Sequence, residues 1–349
     1  MAYKSEAKVG ILSKKKNFFL VPMLVIIPIL MMIICVGIGR FSLTPGESFD
    51  ILWRGLIYGP EGVADVQGYS VVFNIRLPRI ILAVLCGIGL SVSGAAFQAL
   101  FSNPLATADT LGVAAGASCG ACLGLLLKMN LLGVQLIALV FGLGAMVLIN
   151  LLATKKGKSN IMMMVLSGII MNSMFQAFLS LIKYFADPED DLPGITYWLM
   201  GSLTSASYKS LLIGAPLILI GVVVIVLLRW RLNILALSED EAQSMGINVQ
   251  VMRIIIIVSA TLVTASCVSM CGQVGWVGLL IPLIARMIFG SNNNRIIPAC
   301  LSLGAIFMLV IDTIARAATV SEIPITVLTA TVGAPVFIYM LRRTGGVGL

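Results

Sequence analysis

The feature that most restricts this chain is a series of apolar runs, most of them 18 residues or longer, recurring from Phe18 nearly to the last residues. Inside hydrocarbon no water reaches an amide, so each run must satisfy its own backbone donors and acceptors, which it does as a helix. The expected fold is therefore all-α. One polytopic membrane domain, residues 1–349, would carry about ten transmembrane helices. Of the 349 residues 59% are hydrophobic and 11% charged, with a mean hydropathy of +1.06, too few charges to keep a soluble domain in solution. The net charge of +8 is accordingly read through membrane topology, where Lys and Arg gather on the cytoplasmic side, and not as a nucleic-acid signal.

The runs place spans at residues 18–39, 80–101, 109–127, 131–153, 161–182, 209–228, 254–271, 274–289, 296–315 and 324–341. The first is too long for a signal-peptide core and is read as retained. With the N-terminus inside, fifteen of the 23 basic residues fall on cytoplasmic segments, and both termini are cytoplasmic. Those segments include a tail, residues 1–17, carrying Lys4, Lys8 and Lys14 to Lys16, and a loop, residues 229–253. The run at 274–289 is short and holds Gly275, Gly278 and Pro282, so a re-entrant segment is the alternative there. Outside, residues 40–79 form a long segment with a short surface helix, the acidic DPEDD begins at Asp187, and Tyr197 and Trp198 suit the headgroup level.

Enzymatic chemistry has little to work with. Histidine is absent, which removes the commonest metal ligand and general base. Seven cysteines lie in or at the ends of apolar runs, an odd set that makes no disulfide framework. Cys119 and Cys122 have the spacing of a thiol redox motif but sit mid-membrane in a stripe of Gly112, Gly116, Gly120 and Gly124, a spacing that lets helix backbones approach. Gly157, Lys158 and Ser159 resemble the end of a phosphate loop, yet Leu152 stands where its first glycine is required. No catalytic residue, metal site or bound cofactor is expected.

The informative residues are the polar ones. In the 229–253 loop, Ser238 and Glu241 make a capping box, Glu239 and Asp240 put negative charge in the first turn, and Gly246 supplies the stop, predicting a helix over residues 239–245. A second short helix over 233–237 would be capped by Asn233. Helices this short are marginal alone and need something to lie against; the loop is either solvated or a docking knob for a soluble protein. Asn172, Gln176 and Ser180 fall on one face of a span, as an interhelical seam or a pathway lining. Asp312 and Arg316 are spaced for an ion pair. Arg76 and Arg79 are either interfacial anchors or forked donors for carboxylates of an external protein.

In order along the chain stand RLPR (76–79), SGAAFQALFSNPLATADTLG (93–112), WLMGSL (198–203), LALSEDEAQSMGI (235–247), GWVGLLIPLIAR (275–286) and IPITVLTATVGAPVFIYML (323–341). From about residue 41 to 343 the chain thereby resembles the FecCD-type permease subunits of ABC importers for iron-siderophores, haem and cobalamin. The resemblance implies a type II ABC importer permease bundle in the inner, cytoplasmic membrane. It implies that Leu237, Ser238, Glu239, Asp240, Glu241, Ala242, Met245 and Gly246 contact an ATPase subunit, present in two copies, which uses ATP and Mg that this chain does not bind. It further implies that Arg76, Arg79 and Arg316 meet glutamates of an extracytoplasmic substrate-binding protein. The fifth, eighth and tenth spans would line the path, and residues 154–162 would lie at an inner gate. A second permease chain, identical or related, would complete the path. The implied cargo is a metal chelate, foremost a ferric siderophore, with haem, cobalamin or molybdate in the same class. The chain departs from the family at Leu283, where a histidine is usual, at Gln273 for a proline and at Ser238 for a glycine. An ion-coupled carrier is the contrasting reading. It would need ionisable residues at midplane, and the spans hold almost none.

Overall fold

A computed structural model describes residues 24–344 apart from 42, 156–157, 160, 236–238 and 247. The N-terminal tail, Leu237 and Ser238, and with Ser238 the capping box, lie outside these residues. The described residues are mostly helical: α1 (Leu24–Gly37), α2 (Pro45–Tyr58), α3 (Val66–Ser70), α4 (Leu77–Leu100), α5 (Val113–Leu126), α6 (Leu131–Ala153), α7 (Ile161–Phe185), α8 (Asp191–Leu199), α9 (Tyr208–Leu227), α10 (Arg231–Leu235), α11 (Glu239–Ser244), α12 (Val249–Cys271), α13 (Val277–Phe289), α14 (Asn293–Ala317) and α15 (Ile325–Thr344). Between α6 and α7, Thr154–Lys155 pairs antiparallel with Lys158–Ser159.

Ten apolar helices match the ten expected spans, six of them long enough to cross a membrane and four shorter. Their bounds correct the expectation in two places. The second span is not confined to residues 80–101: α3, a π-helical stretch (Val71–Arg76) and α4 run on without a break, so that Val66–Leu100 is one 35-residue rod. The third does not begin at 109, because residues 101–112 form turns and Gly112, at φ +73°, caps the start of α5. The segment before α4 holds more structure than the one short helix expected. Thr44 and Glu47 make a reciprocal capping box on α2, whose outer face carries Phe49, Trp53 and Leu56 exposed, as suits a helix lying in the membrane interface.

The helices form two groups. In one, α4 is surrounded by α9, α12, α13 and α14; in the other, α5 packs with α6 and α7, and α12 joins the groups. Glycines decide both. Gly87 lies against the Gly304 backbone of α14 and Gly94 against Gly278 of α13, approaches a Cβ would block. Gly116, Gly120 and Gly124 seat α5 on α6 as their spacing predicts, and Cys119 and Cys122 are buried in an apolar cluster with residues of α6 and α7. The short α13 enters through Trp276 at φ +71°, and Leu283 packs against Leu280 and Met340.

Candidate functional site

Two polar assemblies stand out at the two ends of the bundle. At one end, Arg76, Arg79 and Arg316 converge on one cleft of about 210 Å³ that they line with Arg40 and Glu322. All three are largely buried: Arg76 is 3%, Arg79 6% and Arg316 7% exposed. Each has a hydrogen-bond partner inside the chain. Arg79 Nε donates to Asp312 Oδ1 at 2.8 Å, while Nη1 and Nη2 form a fork on Glu322 at 2.8 and 2.9 Å. Arg76 donates to the Val36 and Phe41 carbonyls, and Arg316 to the Cys35 carbonyl. The last carbonyls of α1, which lack partners within the helix, are thus satisfied by two guanidinium groups held near the negative end of its dipole.

The spacing of Asp312 and Arg316 does bring them together, with Arg316 Nε 3.5 Å from Asp312 Oδ2, but Arg79 is the closer partner of that carboxylate. Glu322 also accepts from Thr204 Oγ1 at 2.9 Å, which ties the segment before α15 to the segment before α9. Burial pushes the Glu322 carboxyl upward, and its hydrogen bonds and proximity to Arg79 outweigh that, so it lies below the usual glutamate range. Beside it Gly201, at φ +72°, lies against the Gln273 carbonyl, and the Ile325 N–H donates to the Gly201 carbonyl. WLMGSL and the start of α15 therefore meet at this end.

At the opposite end lie the two short helices. The first is Arg231–Leu235, shifted from the expected 233–237, and Asn233 is inside it and not its cap. It buries Leu232, Ile234 and Leu235 and packs on α4. Asn233 instead reaches across to α14: its Nδ2 donates to Asn292 Oδ1 at 3.1 Å, and its Oδ1 accepts from the Asn293 N–H at 2.8 Å. The second, Glu239–Ser244, ends before Gly246 at φ +75°, close to the expected 239–245. Ala242 is its buried anchor, whereas Glu241, Ser244, Met245 and Gly246 face outward. Glu239 and Asp240 stand in its first turn.

The third expected site lies on α7. Met164, Met171, Phe175, Leu179 and Ile182 make the buried stripe of that helix, and Gln176 and Ser180 stand exposed on another face, Ser180 donating to the Gln176 carbonyl of its own helix. Asn172 is half-buried where Gly112 touches its backbone, beside a cavity of about 310 Å³ shared with Asn103, Thr110 and Ser173. Sequence reading missed Glu322 and the bridging role of Asn233. Spacing offers no signal for either, since their partners lie 243 and 59 or 60 residues away. Among the described residues no cluster of metal-ligating side chains occurs.

Residues 25–343 match the FecCD transport family, and the chain belongs to it. It is 36% identical over 316 residues to the molybdate import system permease protein MolB of Haemophilus influenzae, covering 90% of this chain and 93% of that one. It is 36% identical over 278 residues to a probable iron chelatin transport system permease protein of Helicobacter pylori, covering 79% and 84%. With the hemin transport system permease protein HmuU of Yersinia pestis it shares 31% over 326 residues, covering 90% and 93%. A solved chain assigned to the metal-chelate type ABC transporters, in an inward-facing conformation, superposes with a TM-score of 0.82 at 34% identity over 93% of this chain and 99% of that one. The protein is thus an integral membrane permease subunit of the ABC importers that move metal chelates and related substrates.

Proposed function

We propose that two copies of this chain form the path of an ATP-driven importer that carries a bulky metal chelate, foremost a ferric siderophore, into the cytoplasm. Relatives named for molybdate, iron chelatin and haemin bound the class. The observation that carries the cargo reading is the free face of α7, where Ser173, Gln176 and Ser180 stand exposed beside Met174 and Phe178. Neutral amides and hydroxyls among apolar side chains suit a large amphipathic complex that binds weakly and leaves. A small bare oxyanion calls for cationic or N–H donors, and the nearest cation on that helix is Lys183 in its last turn.

Energy enters at the inner end. An ATPase subunit grips α11 through Glu239, Asp240 and Glu241, and its two copies close on ATP. Because a permease only redistributes among states it already has, the drive comes from contacts of the ATPase that differ between those states. At the outer end a binding protein docks over the arginine cleft, where its carboxylate competes with Glu322 for the fork of Arg79. Substrate selection rests with that protein.

The test is reconstitution with the ATPase and binding protein of the neighbouring reading frames, followed by uptake of a radiolabelled ferric siderophore. ATP-dependent uptake that excess molybdate, haem and cobalamin leave intact is the expected result. Uptake of molybdate in place of the chelate moves the cargo, and uptake without ATP overturns the class of mechanism. Replacing Glu239 and Asp240 by Arg is expected to leave assembly intact and to uncouple hydrolysis from uptake; unchanged uptake removes α11 from the coupling role.

A further inference from the structure

We infer that Asn233 is a positioning residue that clamps the ATPase-facing helices to α14, so that motion at the inner surface is delivered to the α4–α14 pair as one body. The inference rests on the proposed contact of the ATPase with α11. Its physical basis is the use of both ends of one amide. The Asn293 N–H is a first-turn donor of α14 with no partner inside its own helix, and Asn293 is 3% exposed, so its acceptor must come from elsewhere. Because that N–H only donates, the Asn233 Oδ1 must face it, which turns Nδ2 onto Asn292 Oδ1. Asn292 Oδ1 is itself held by the Asn294 N–H as the cap of α14. All three groups are fixed by one another.

The apolar side of α10 holds it against α4 but leaves it free to slide, since burial is not directional. The two hydrogen bonds add register. What they grip is a rigid element: α14 runs 25 residues, about 37 Å at the helical rise. It crosses α4 at the Gly87–Gly304 contact, and at its far end Asp312 pairs with Arg79 of α4. A displacement of α10 is therefore passed to both helices, where a loop with no side-chain tie would absorb it. By contrast, α15 is packed only on α13 and α14 among the principal helix contacts, and α7 on α5 and α6, which leaves them the elements against which this body moves.

The experiment uses the complete importer, permease with its ATPase, in lipid nanodiscs, with spin labels at Ser244→Cys on α11 and Asn294→Cys on α14. In the otherwise unchanged protein the label separation is expected to be the same without nucleotide and when trapped with ATP and vanadate. In Asn233→Ala the trapped state is expected to gain a second, displaced population, rising about tenfold, the effect of losing one to two neutral hydrogen bonds. The ATP hydrolysis rate of that variant stays unchanged. Asn233→Asp keeps the acceptor for Asn293 and loses the donor, and is expected to fall between the two. A role in folding alone would lower melting temperature without making the separation depend on nucleotide, and this outcome overturns the clamp. An Asn233→Ala complex with one unchanged separation overturns it as well, with the ATPase contact intact. Failure of the ATPase to assemble with the parent chain, or its indifference to Arg at 239 and 240, removes the underlying coupling reading instead.

Discussion

Helices α4 and α7 are both long, apolar and uninterrupted, and the molecule uses them in opposite ways. Over the best apolar window of each rod, 83% of the residues in Val66–Leu100 are buried within the chain, against 33% in Met162–Phe185. The first is the axle of the bundle. The second shows the bundle a single stripe and leaves the rest to lipid or to another chain. In a membrane, apolar character does not discriminate between these uses, because lipid tails are as apolar as a protein core. Small residues do: α4 carries Gly87, Gly89, Ser91, Ser93, Gly94, Ala95 and Ala96, and neighbouring backbones come down onto them.

The largest effect that separates the two modes of packing is therefore steric. Gly87→Val or Gly94→Val puts a side chain into the backbone of Gly304 or Gly278, and backbone cannot swing aside. A destabilisation of about 3 kcal/mol is expected, at the upper end for overpacking, with little monodisperse protein recovered from the membrane. The same substitution at Gly144 of α6, where nothing lies within 4 Å of a new Cβ, is expected to change melting temperature hardly at all. Equal losses at both positions would mean that close approach is not what holds α4.

Next in size is the charge pair that closes the outer end of α4. Asp312 is 1% exposed, and removing it takes away the carboxylate that Arg79 and Arg316 share, leaving Arg79 its fork on Glu322 and Arg316 with no carboxylate partner among the described residues. Asp312→Ala is expected to cost about 3–5 kcal/mol, the range for breaking a buried pair from one side. Arg79→Gln together with Asp312→Asn is expected to cost less than the two single changes summed, because neither charge is then left alone. Thermal unfolding of the four proteins in one detergent measures the difference, and strict additivity would show that the pair does not interact.

Glu322 contributes less, since it is partly exposed, and its contribution has a pH signature. Its carboxyl lies below its ordinary value near 4.5 in the folded chain. The stabilisation is therefore fully present above about that pH and is lost only as pH falls through the lowered value. Between neutral pH and 5 the melting temperature is expected to show no step from this group, with a decline below that range, and Glu322→Gln is expected to flatten the decline. A step near pH 6 that vanishes in the variant would mean that the carboxyl is raised, and that Arg79 does not hold it.

Much of this architecture was legible because the membrane removes alternatives. Run length gave the number and type of the helices, and the glycine spacing in α5 named the face that meets α6. Gly246 marked the end of α11. What was not legible has a common cause. Arg79 reads as a surface anchor because it follows a polar segment, and only the fold brings it to Asp312, 233 residues away. Asn233 has the identity of a cap, and nothing local says that its helix starts two residues earlier and that its amide is claimed by α14. The π-helical stretch that leads into α4 likewise left no mark in periodicity.

The smallest effect on stability should coincide with the clearest effect on transport, and α7 is where to look. Gln176 and Ser180 are exposed, and the Ser180 hydroxyl is bonded within its own helix, so truncating them breaks no contact between helices. Gln176→Ala and Ser180→Ala are expected to leave stability within about 0.5 kcal/mol of the parent, as for surface positions generally. The matched change on the buried stripe, Phe175→Ala, empties core between α7 and its neighbours and is expected to cost about 3 kcal/mol or more. If the free face lines a path, the two polar variants lower chelate uptake several-fold at constant ATP hydrolysis, while a change to exposed Val147 on α6 does not. If the face only meets lipid, all three variants transport alike, and the distinction between axle and lining drawn from α4 and α7 fails at its second half.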